Sequence, residues 1–220
     1  MEGYKQLDIS KAAEGTPSEP SDQVKKIAKA NVDKAAQQNK TSNFNVMLLS
    51  YHIALSQILE QNDTVIGFSC ANRLKKKYYK TIGYLSRAVQ HRLTVSDDDK
   101  LSDLIAVSVK KFTENMANQQ TSHYNDNSQF YITHATYQKK DSLAKPLYIP
   151  VKRVLTFLLM AVFEEGSDIS IKFAGDNNMF TKEFLAEFTK YIECTVELLA
   201  ETPDATIDDV KKAYKEKYNR

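Results

Sequence analysis

The sequence is poor in cysteine, in glycine and in long apolar runs, and each shortage excludes a class of protein. Its 220 residues include two cysteines, Cys70 and Cys194, both in apolar surroundings, which favours buried reduced thiols over a disulfide framework. None of the six glycines forms a phosphate-binding loop, and no Cys/His spacing is typical of a zinc site. The longest apolar run, Leu155–Phe163, is too short to cross a bilayer and predicts a buried strand.

A large excess of either charge is also missing. Thirty basic residues nearly balance twenty-eight acidic ones, and the net charge of +2 gives no reason to expect a nucleic-acid or membrane partner. A hydrophobic fraction of 42% is ordinary for a globular chain. The first residues, Met1–Lys5, do not resemble a signal peptide, so we expect a cytoplasmic protein.

Hydrophobic periodicity predicts a mixture of helices and strands. Their order indicates an α+β protein, with a mixed β-sheet covered mainly on one face by helices. The predicted helices are Ser21–Gln38 with Ser21 as N-cap, Val46–Glu60 capped by Asn43 or Asn45, Leu101–Asn118, Thr181–Thr202 and Ile207–Tyr218. The predicted strands are Thr64–Cys70, Tyr84–Val95, Gln129–Tyr137, Arg153–Glu164 and Asp168–Phe173, the last two joined by a hairpin turn at Glu165–Ser167.

Six short segments resemble, in order and spacing, the second half of one acyltransferase family. They are the apolar helix Leu48–Leu59, the strand Asp63–Gly67 (D-x-V-I-G), the pair Asn72-Arg73, the segment Ile82–Arg92 (I-G-x-F-x-N-x-L-x-x-R in the family), the segment Lys140–Leu147 (R-D-x-S-R-N-P-L) and the helix entry Asp176–Phe180. The family is that of the condensation domains of nonribosomal peptide synthetases, which are chloramphenicol-acetyltransferase-like acyltransferases.

The resemblance implies a single chloramphenicol-acetyltransferase-like lobe, the C-terminal one of two, over residues 21–203. Residues 1–20 would be an N-terminal strand or linker, and residues 204–220 a charged C-terminal helix. Arg73 would lie near the lobe junction and pair with a buried carboxylate such as Asp141. The positions with structural or tunnel-wall roles in the family are Asn72, Arg73, Ile82, Gly83, Arg92, Asp141 and Pro146.

The sequence departs from the family at the residues that do chemistry. Arg87 stands where the family has the asparagine of its F-x-N segment, and the second arginine of R-D-x-S-R is missing. The family's catalytic motif, His-His-x-x-x-Asp-Gly, lies in its N-terminal lobe, and none of the four histidines here is adjacent to another or followed by Asp-Gly. We therefore expect no catalytic residue in this chain and no activity from it alone.

Three of the four histidines can be interpreted from their neighbours in the sequence. His52 lies within the most apolar helix and is expected to be a core or lobe-interface residue. His123 and His134 lie near Tyr124 and Asp126, which would allow a His/Asp dyad, although a polar loop ordinarily contains such residues without chemistry.

A basic stretch with interleaved aromatics begins at Lys75, Lys76 and Lys77 and continues as Tyr78-Tyr79-Lys80. Such a patch is suited to a phosphate backbone, to single-stranded bases or to the acidic surface of a carrier protein. It is also typical of a solvated loop between two strands.

The function implied by the resemblance is amide bond formation between a carrier-bound thioester and an amine. The phosphopantetheine arm would come with a carrier protein, and the lobe would bind no metal or cofactor directly. Its partners would be an N-terminal condensation lobe, an acyl or peptidyl carrier protein, or a second copy of itself. Two alternatives stay open: a lobe of a CoA-dependent alcohol or amine acyltransferase, and a free-standing, non-catalytic interaction module.

Overall fold

The structure, a computed structural model, describes residues 25–73, 75–118, 128–136, 158–175 and 180–218. The strands are β1 (Lys25–Ala28), β2 (Asp63–Cys70), β3 (Arg87–Thr94), β4 (Phe130–Thr136), β5 (Leu158–Glu165) and β6 (Asp168–Gly175). The helices are α1 (Lys29–Gln38), α2 (Asn43–Ile58), α3 (Leu101–Asn118), α4 (Lys182–Glu201) and α5 (Ile207–Tyr218), and a single 3-10 turn spans Lys76–Tyr78.

The six strands form one mixed sheet in the order β1-β6-β5-β4-β2-β3. The β2–β4 and β4–β5 pairs are parallel, whereas the β1–β6, β5–β6 and β2–β3 pairs are antiparallel. β5 and β6 meet at a tight turn in which Gly166 has φ +63°, and this is the predicted hairpin. The predicted α+β architecture with a mixed sheet is confirmed.

One face of this sheet forms the core with the helices. Phe68 of β2 stacks on Phe112 of α3 with ring centroids 5.3 Å apart, and Phe173 of β6 packs against Tyr51 of α2 and Phe188 of α4. α1 adds its buried stripe to the same cluster, and α5 packs on α4. The helices thus cover one face, as the sequence predicts, and a single continuous core holds the lobe together.

α2 is the central helix and is buried from Asn45 to Ser56. Two of its buried hydroxyls are satisfied by carbonyls of the helix itself: Ser50 Oγ donates to the Val46 carbonyl at 2.9 Å, and Ser56 Oγ donates to the Ile53 carbonyl at 2.9 Å. Apolar residues occur almost all round this helix, which agrees with its burial on more than one side.

The first predicted helix is wrong at its N-terminal end. Residues Lys25–Ala28 form β1, and α1 begins only at Lys29. The strand pairs with β6, with Lys25 opposite Ile171 and Ile27 opposite Ile169, and Ile27 is buried in the core. Pairing with a strand more than 140 residues away outweighs the local helical spacing. Ser21, the predicted N-cap, lies outside the described residues.

Two other boundaries also differ from prediction. Ser42, not Asn43 or Asn45, caps α2, because its Oγ accepts a hydrogen bond from the backbone N–H of Asn45. β3 begins at Arg87, not Tyr84, because its partner β2 ends at Cys70, directly opposite Arg87. A strand that loses its partner loses its ladder hydrogen bonds.

Both cysteines are buried and, within the described residues, neither forms a disulfide, as predicted. Burial raises the pKa of the Cys194 thiol to about 11, which keeps it protonated and unreactive at neutral pH. Cys194 lies on α4, beneath the C-terminal helix.

α5 is held on α4 by tyrosine–glutamate hydrogen bonds. Tyr218 Oη donates to Glu193 Oε2 at 2.6 Å, Tyr214 Oη donates to Glu187, and the Tyr214 ring stacks on Tyr191 at 4.3 Å. The predicted charged C-terminal helix is therefore packed against the lobe through its aromatic side.

Replacing Tyr218 by phenylalanine is expected to lower the free energy of unfolding by about 1 kcal/mol, because the half-buried Glu193 loses a hydrogen-bond donor. Urea denaturation at pH 7.5 measures the change. The control is Lys215→Gln, an exposed residue of the same helix, which should leave the midpoint unchanged. A Tyr218→Phe midpoint equal to that of the control would contradict the importance of this bond.

Candidate functional site

Two histidines that are far apart in the sequence lie side by side in the core. His52 of α2 and His91 of β3 are both 0% exposed. His52 Nε2 is 2.9 Å from His91 Nδ1, His52 Nδ1 is 2.6 Å from Thr64 Oγ1, and His91 Nε2 is 3.0 Å from the carbonyl oxygen of Ser108 in α3. The chain of hydrogen bonds joins α2, β2, β3 and α3.

The positions of the protons in this chain of hydrogen bonds follow from the carbonyl oxygen of Ser108, because a carbonyl oxygen can only accept. The Ser108 carbonyl accepts from His91 Nε2–H, so neutral His91 accepts at Nδ1 from His52 Nε2–H, and His52 Nδ1 accepts from the Thr64 hydroxyl. Burial lowers the pKa of His52 well below its ordinary range, and nearby His91 and Lys111 add to the effect. Burial also lowers the pKa of His91. Both rings are therefore neutral structural groups, sealed away from any substrate.

His134, on β4, has a different neighbour from the one considered in sequence. Its Nε2 lies 3.0 Å from Glu164 Oε1 on β5, although the ring is not aligned for a hydrogen bond. Lys29 Nζ lies 3.5 Å from Glu164 Oε2, and Asn43 Nδ2 donates to Glu164 Oε1 at 3.3 Å. The carboxylate thus joins α1, α2, β4 and β5. The proposed dyad partner, Asp126, lies outside the described residues, as do His123 and Tyr124.

Arg73 anchors the connection between β2 and β3. Its Nη1 donates to the Ala71 carbonyl at 3.1 Å, and its Nη2 donates to the carbonyls of Thr81 and Gly83, both at 3.3 Å. Asn72, just before it, adopts a left-handed conformation with φ +50°, which asparagine tolerates better than most residues. In the described part of the chain, the partners of Arg73 are backbone carbonyls, while Asp141 and Pro146 lie outside that part.

Arg92 pairs with a carboxylate, which is the kind of partner that was expected for Arg73. Its Nη2 donates to Asp63 Oδ2 at 2.6 Å and its Nε to Asp63 Oδ1 at 2.9 Å, a two-point contact across the β2–β3 pair. Arg87, at the family's asparagine position, starts the same strand β3. The motif residues Asp63 and Arg92 therefore stabilise the hairpin that presents the connecting loop.

That loop is exposed. Lys75, Lys76 and Lys77 are all exposed, Ile82 and Tyr84 are 101% and 84% exposed, and no atom lies within 4 Å of where a side chain at Gly83 would begin. The structure thus brings Asn72, Arg73, Ile82 and Gly83 together in one loop, with Arg87 at its base, whereas Arg92 lies near the other end of the β2–β3 pair. Among the residues described, no group of three or more His, Cys, Asp or Glu side chains could hold a metal ion. No helix within the same residues has the length and apolar character to cross a membrane.

Sequence reasoning missed the partners in these contacts, namely Thr64, Ser108, Asp63 and Glu164. Each is separated from its histidine or arginine by 12 or more residues, so local spacing carries no signal for the pairing.

The chain matches a known family of domains. The family model described as "Condensation domain" matches residues 18–147, which is more than half of the chain. The chain belongs to the condensation-domain family, and the predicted resemblance is confirmed.

Individual relatives support this family match. A 72-residue stretch is 35% identical to a hybrid PKS-NRPS synthetase, pvhA, of Talaromyces variabilis, and covers 32% of this chain and 2% of that protein. The first condensation domain of the CDA synthetase overlays 89% of this chain with a TM-score of 0.67 at 15% identity. The four-domain nonribosomal peptide synthetase AB3403 overlays 89% of it with a TM-score of 0.71 at 12% identity. At such low identity these overlays show the shared fold.

The chain spans only part of these proteins. It covers 48% of the CDA synthetase domain and 18% of the AB3403 chain. About half of a condensation domain is the size expected for one of two lobes.

Proposed function

We propose that this chain is the C-terminal lobe of a condensation-type acyltransferase that joins a carrier-bound thioester to the amine of a carrier-bound acceptor. The observation that carries the proposal is the family match over residues 18–147, on a fold that overlays 89% of this chain but 48% of a condensation domain. In this family the active site is a tunnel between two lobes, so the other half of the tunnel would come from an N-terminal lobe.

In this reaction the acceptor nitrogen attacks the thioester carbonyl, the C–N bond forms, the C–S bond breaks, and the proton lost by nitrogen ends on the departing thiol. A general base must lie about 3 Å from the proton that it moves. His52 and His91 are fully buried and hydrogen-bonded within the core. The resemblance implies that the base in the proposed enzyme is the histidine motif of the N-terminal lobe, while the C-terminal lobe contributes by holding the reactants in place.

The proposed contribution of this lobe is one tunnel wall and the contacts with its partner lobe. No metal or dissociable cofactor is needed for the reaction, because the phosphopantetheine arm arrives on the carrier. Support for a structural role of the anchored loop comes from the Arg73 contacts and from the Arg92–Asp63 pair. The proposed wall and junction positions are Asn72, Arg73, Ile82, Gly83, Arg92, Asp141 and Pro146.

The test is reconstitution with an N-terminal condensation lobe from the same source. The 220-residue chain alone is expected to transfer no acyl group, while the mixture forms a heterodimer by light scattering and accelerates thioester-to-amine transfer by about 100-fold or more over the uncatalysed rate. The control is an N-terminal lobe in which both motif histidines are alanine, which should dimerise without accelerating transfer. Mass spectrometry of the amide product measures the rate.

Two outcomes would overturn the proposal. A chain that stays monomeric by light scattering when the N-terminal lobe is added would favour a self-sufficient interaction module. A heterodimer that transfers an acyl group from CoA to an alcohol, but not between carriers, would favour the CoA-dependent acyltransferase.

A further inference from the structure

Five polar side chains form a cluster around the carboxylate of Glu164, near the first residues of α1 and α2. Lys29 Nζ lies 3.5 Å from Glu164 Oε2, and Asn43 Nδ2 donates to Glu164 Oε1 at 3.3 Å. His134 Nε2 lies 3.0 Å from the same Oε1. Asp33 Oδ1 accepts from Lys29 at 2.5 Å and from Asn43 at 2.7 Å. This Glu164 cluster joins α1, α2, β4 and β5, and none of its residues lies in a family motif.

Helix α1 has little local support at its N-terminal end. Its N-cap, Ala28, makes no side-chain hydrogen bond, and its first turn contains no acidic residue. Lys29 instead places a positive charge where the helix dipole is already positive. The position of α1 therefore depends on its buried stripe and on the contacts of Lys29 in the Glu164 cluster.

The turn that follows α1 is strained. Lys40 has φ +49°, a left-handed conformation that glycine adopts more readily than lysine. The N–H groups of Lys40 and Thr41 donate back to the carbonyls of Gln37 at 3.2 Å and Ala36 at 2.9 Å. Movement of α1 away from the lobe would relieve this strain, so the turn is a hinge for residues 25–38.

Strand β1 completes this segment and lies at one end of the strand order. It has four residues, and its described partner strand is β6. Lys25 lies 3.7 Å from Glu193 and Lys26 lies 3.5 Å from Asp168, but ion pairs at the surface stabilise a protein only weakly. Residues 25–38 are therefore a peripheral unit that can open while the other strands stay paired.

His134 makes the Glu164 cluster sensitive to pH. Its side chain is 14% exposed and that of Glu164 is 11% exposed. His134 Nε2 is buried and has no hydrogen-bond partner in the part of the chain that the structure describes. Burial lowers the pKa of His134, the carboxylate of Glu164 opposes this effect, and Lys29 adds to it. The closed cluster thus favours the neutral ring, whereas a ring released into water binds a proton near pH 6.5.

The charges in the cluster explain the cost of a proton on His134. With a neutral histidine the cluster holds one positive charge, Lys29, against two carboxylates, and Lys29 contacts both of them. A protonated ring would add a second positive charge at a partly buried site, with its Nε2–H not aligned to Glu164. The groups carried in this region by the elements around His134 are Glu164 on β5, Lys29 and Asp33 on α1, the uncharged Asn43 and Phe44 on α2, and the thiol of Cys70 on β2.

We propose that the Glu164 cluster is a pH switch, which holds residues 25–38 on the lobe at neutral pH and releases them in mild acid, when His134 gains a proton. Release would leave β6 without the partner strand β1 and uncover the apolar surface against which Val32, Ala35 and Ala36 pack. None of the cluster residues takes part in the proposed reaction, so the switch and the enzyme can be tested separately.

Hydrogen–deuterium exchange of the 220-residue chain at pH 7.5 and 5.5, corrected for intrinsic exchange rates, tests the switch. The protection factors of residues 29–38 are expected to fall by about 5-fold, since uptake of one proton near pH 6.5 changes the opening constant by at most about 10-fold over this range. The closed form is favoured above pH 6.5 and is lost as the pH falls toward the lowered pKa of folded His134. His134→Gln cannot take up the proton, and its protection factors should fall by less than about 2-fold. An equal fall in wild type and His134→Gln would overturn the proposal.

A second variant tests the carboxylate. Glu164→Gln should lower the protection of residues 29–38 by about 5-fold already at pH 7.5, because Lys29 loses a charged partner. The matched control is Glu114→Gln, an exposed carboxylate on α3, which should stay within about 2-fold of wild type. Unchanged protection in Glu164→Gln would also contradict the switch. If Glu164→Gln does not fold by circular dichroism, the comparison of His134→Gln with wild type decides the question.

Discussion

The free energy of unfolding is expected to fall by about 1.4 kcal/mol or more, up to about 3 kcal/mol, when the pH is lowered from 7.5 to 5.5. His52 and His91 are neutral in the folded core and have lowered pKa values, chiefly through burial, whereas the unfolded chain binds protons near the ordinary histidine pKa of 6.5. Each histidine that stays neutral on folding costs about 1.4 kcal/mol one pH unit below that value. The stability is fully present above pH 6.5 and is lost as the pH falls toward the folded pKa values.

Urea denaturation at pH 7.5, 6.5 and 5.5 measures this dependence. The pH range is separate from that of the carboxylates: burial opposes the shift, but hydrogen bonds from Lys190 to Glu187 and from Tyr218 to Glu193 hold the pKa values of both glutamates below their ordinary range, so their contribution is lost only in stronger acid. The double variant His52→Gln/His91→Gln cannot take up these protons and should lose most of the dependence, even if it is less stable at pH 7.5. A double variant that keeps the wild-type dependence would show that the buried pair is not its source.

The matched control is His134→Gln. His134 is only partly buried, beside Glu164 and Lys29, and its pKa is lowered mainly by burial while the carboxylate of Glu164 opposes that effect. We expect this single variant to retain most of the pH dependence. The comparison separates the core pair from the polar cluster at the ends of β4 and β5.

Replacing Gly67 by alanine is expected to destabilise the lobe by about 2 to 3 kcal/mol, the range for overpacking a core. A Cβ at this position of β2 would lie 2.3 Å from Tyr131 Cε2 and 2.9 Å from Ser128 Cβ. Tyr131 is only 8% exposed, so its ring crosses the strand in a confined space. The glycine of the family's D-x-V-I-G strand is thus required by close packing, not by backbone conformation.

Two controls test that cause. Gly166→Ala has no atom within 4 Å of its new Cβ, so its cost of about 1 kcal/mol would come from the left-handed backbone alone. In a double-mutant cycle, Tyr131→Ala should recover part of the loss caused by Gly67→Ala. Additive effects of the two substitutions would mean that the ring is not the obstacle.

The limits of two helices, α3 and α4, were open to prediction from local signals. The apolar spacing of Leu101–Asn118 predicts α3 with its observed bounds, and α4 follows Thr181, which caps it by accepting from the N–H of Phe184. These signals lie within a few residues of the feature that they mark. Lys25–Ala28 shows the limit of such signals, since its residues fit a helix locally and become a strand only because β6 lies beside them.

The candidate site could be predicted only in part. The sequence identified the basic loop and its motif residues, but not the role of Arg73 as an anchor for carbonyls or the pairing of Arg92 with Asp63. Every residue has a backbone carbonyl, so a sequence motif does not indicate which carbonyls accept a hydrogen bond.

The sequence by itself determined the family, the mixed α+β class, the absence of an adjacent histidine pair and the positions of most helices. These properties depend on composition, short motifs and local periodicity. Only the tertiary structure decided that His52 and His91 are one buried neutral pair and that Ile82 and Tyr84 are exposed. The reason is physical: the strand order β1-β6-β5-β4-β2-β3 sets which distant residues meet, and alternation along a strand specifies a face but not a neighbour.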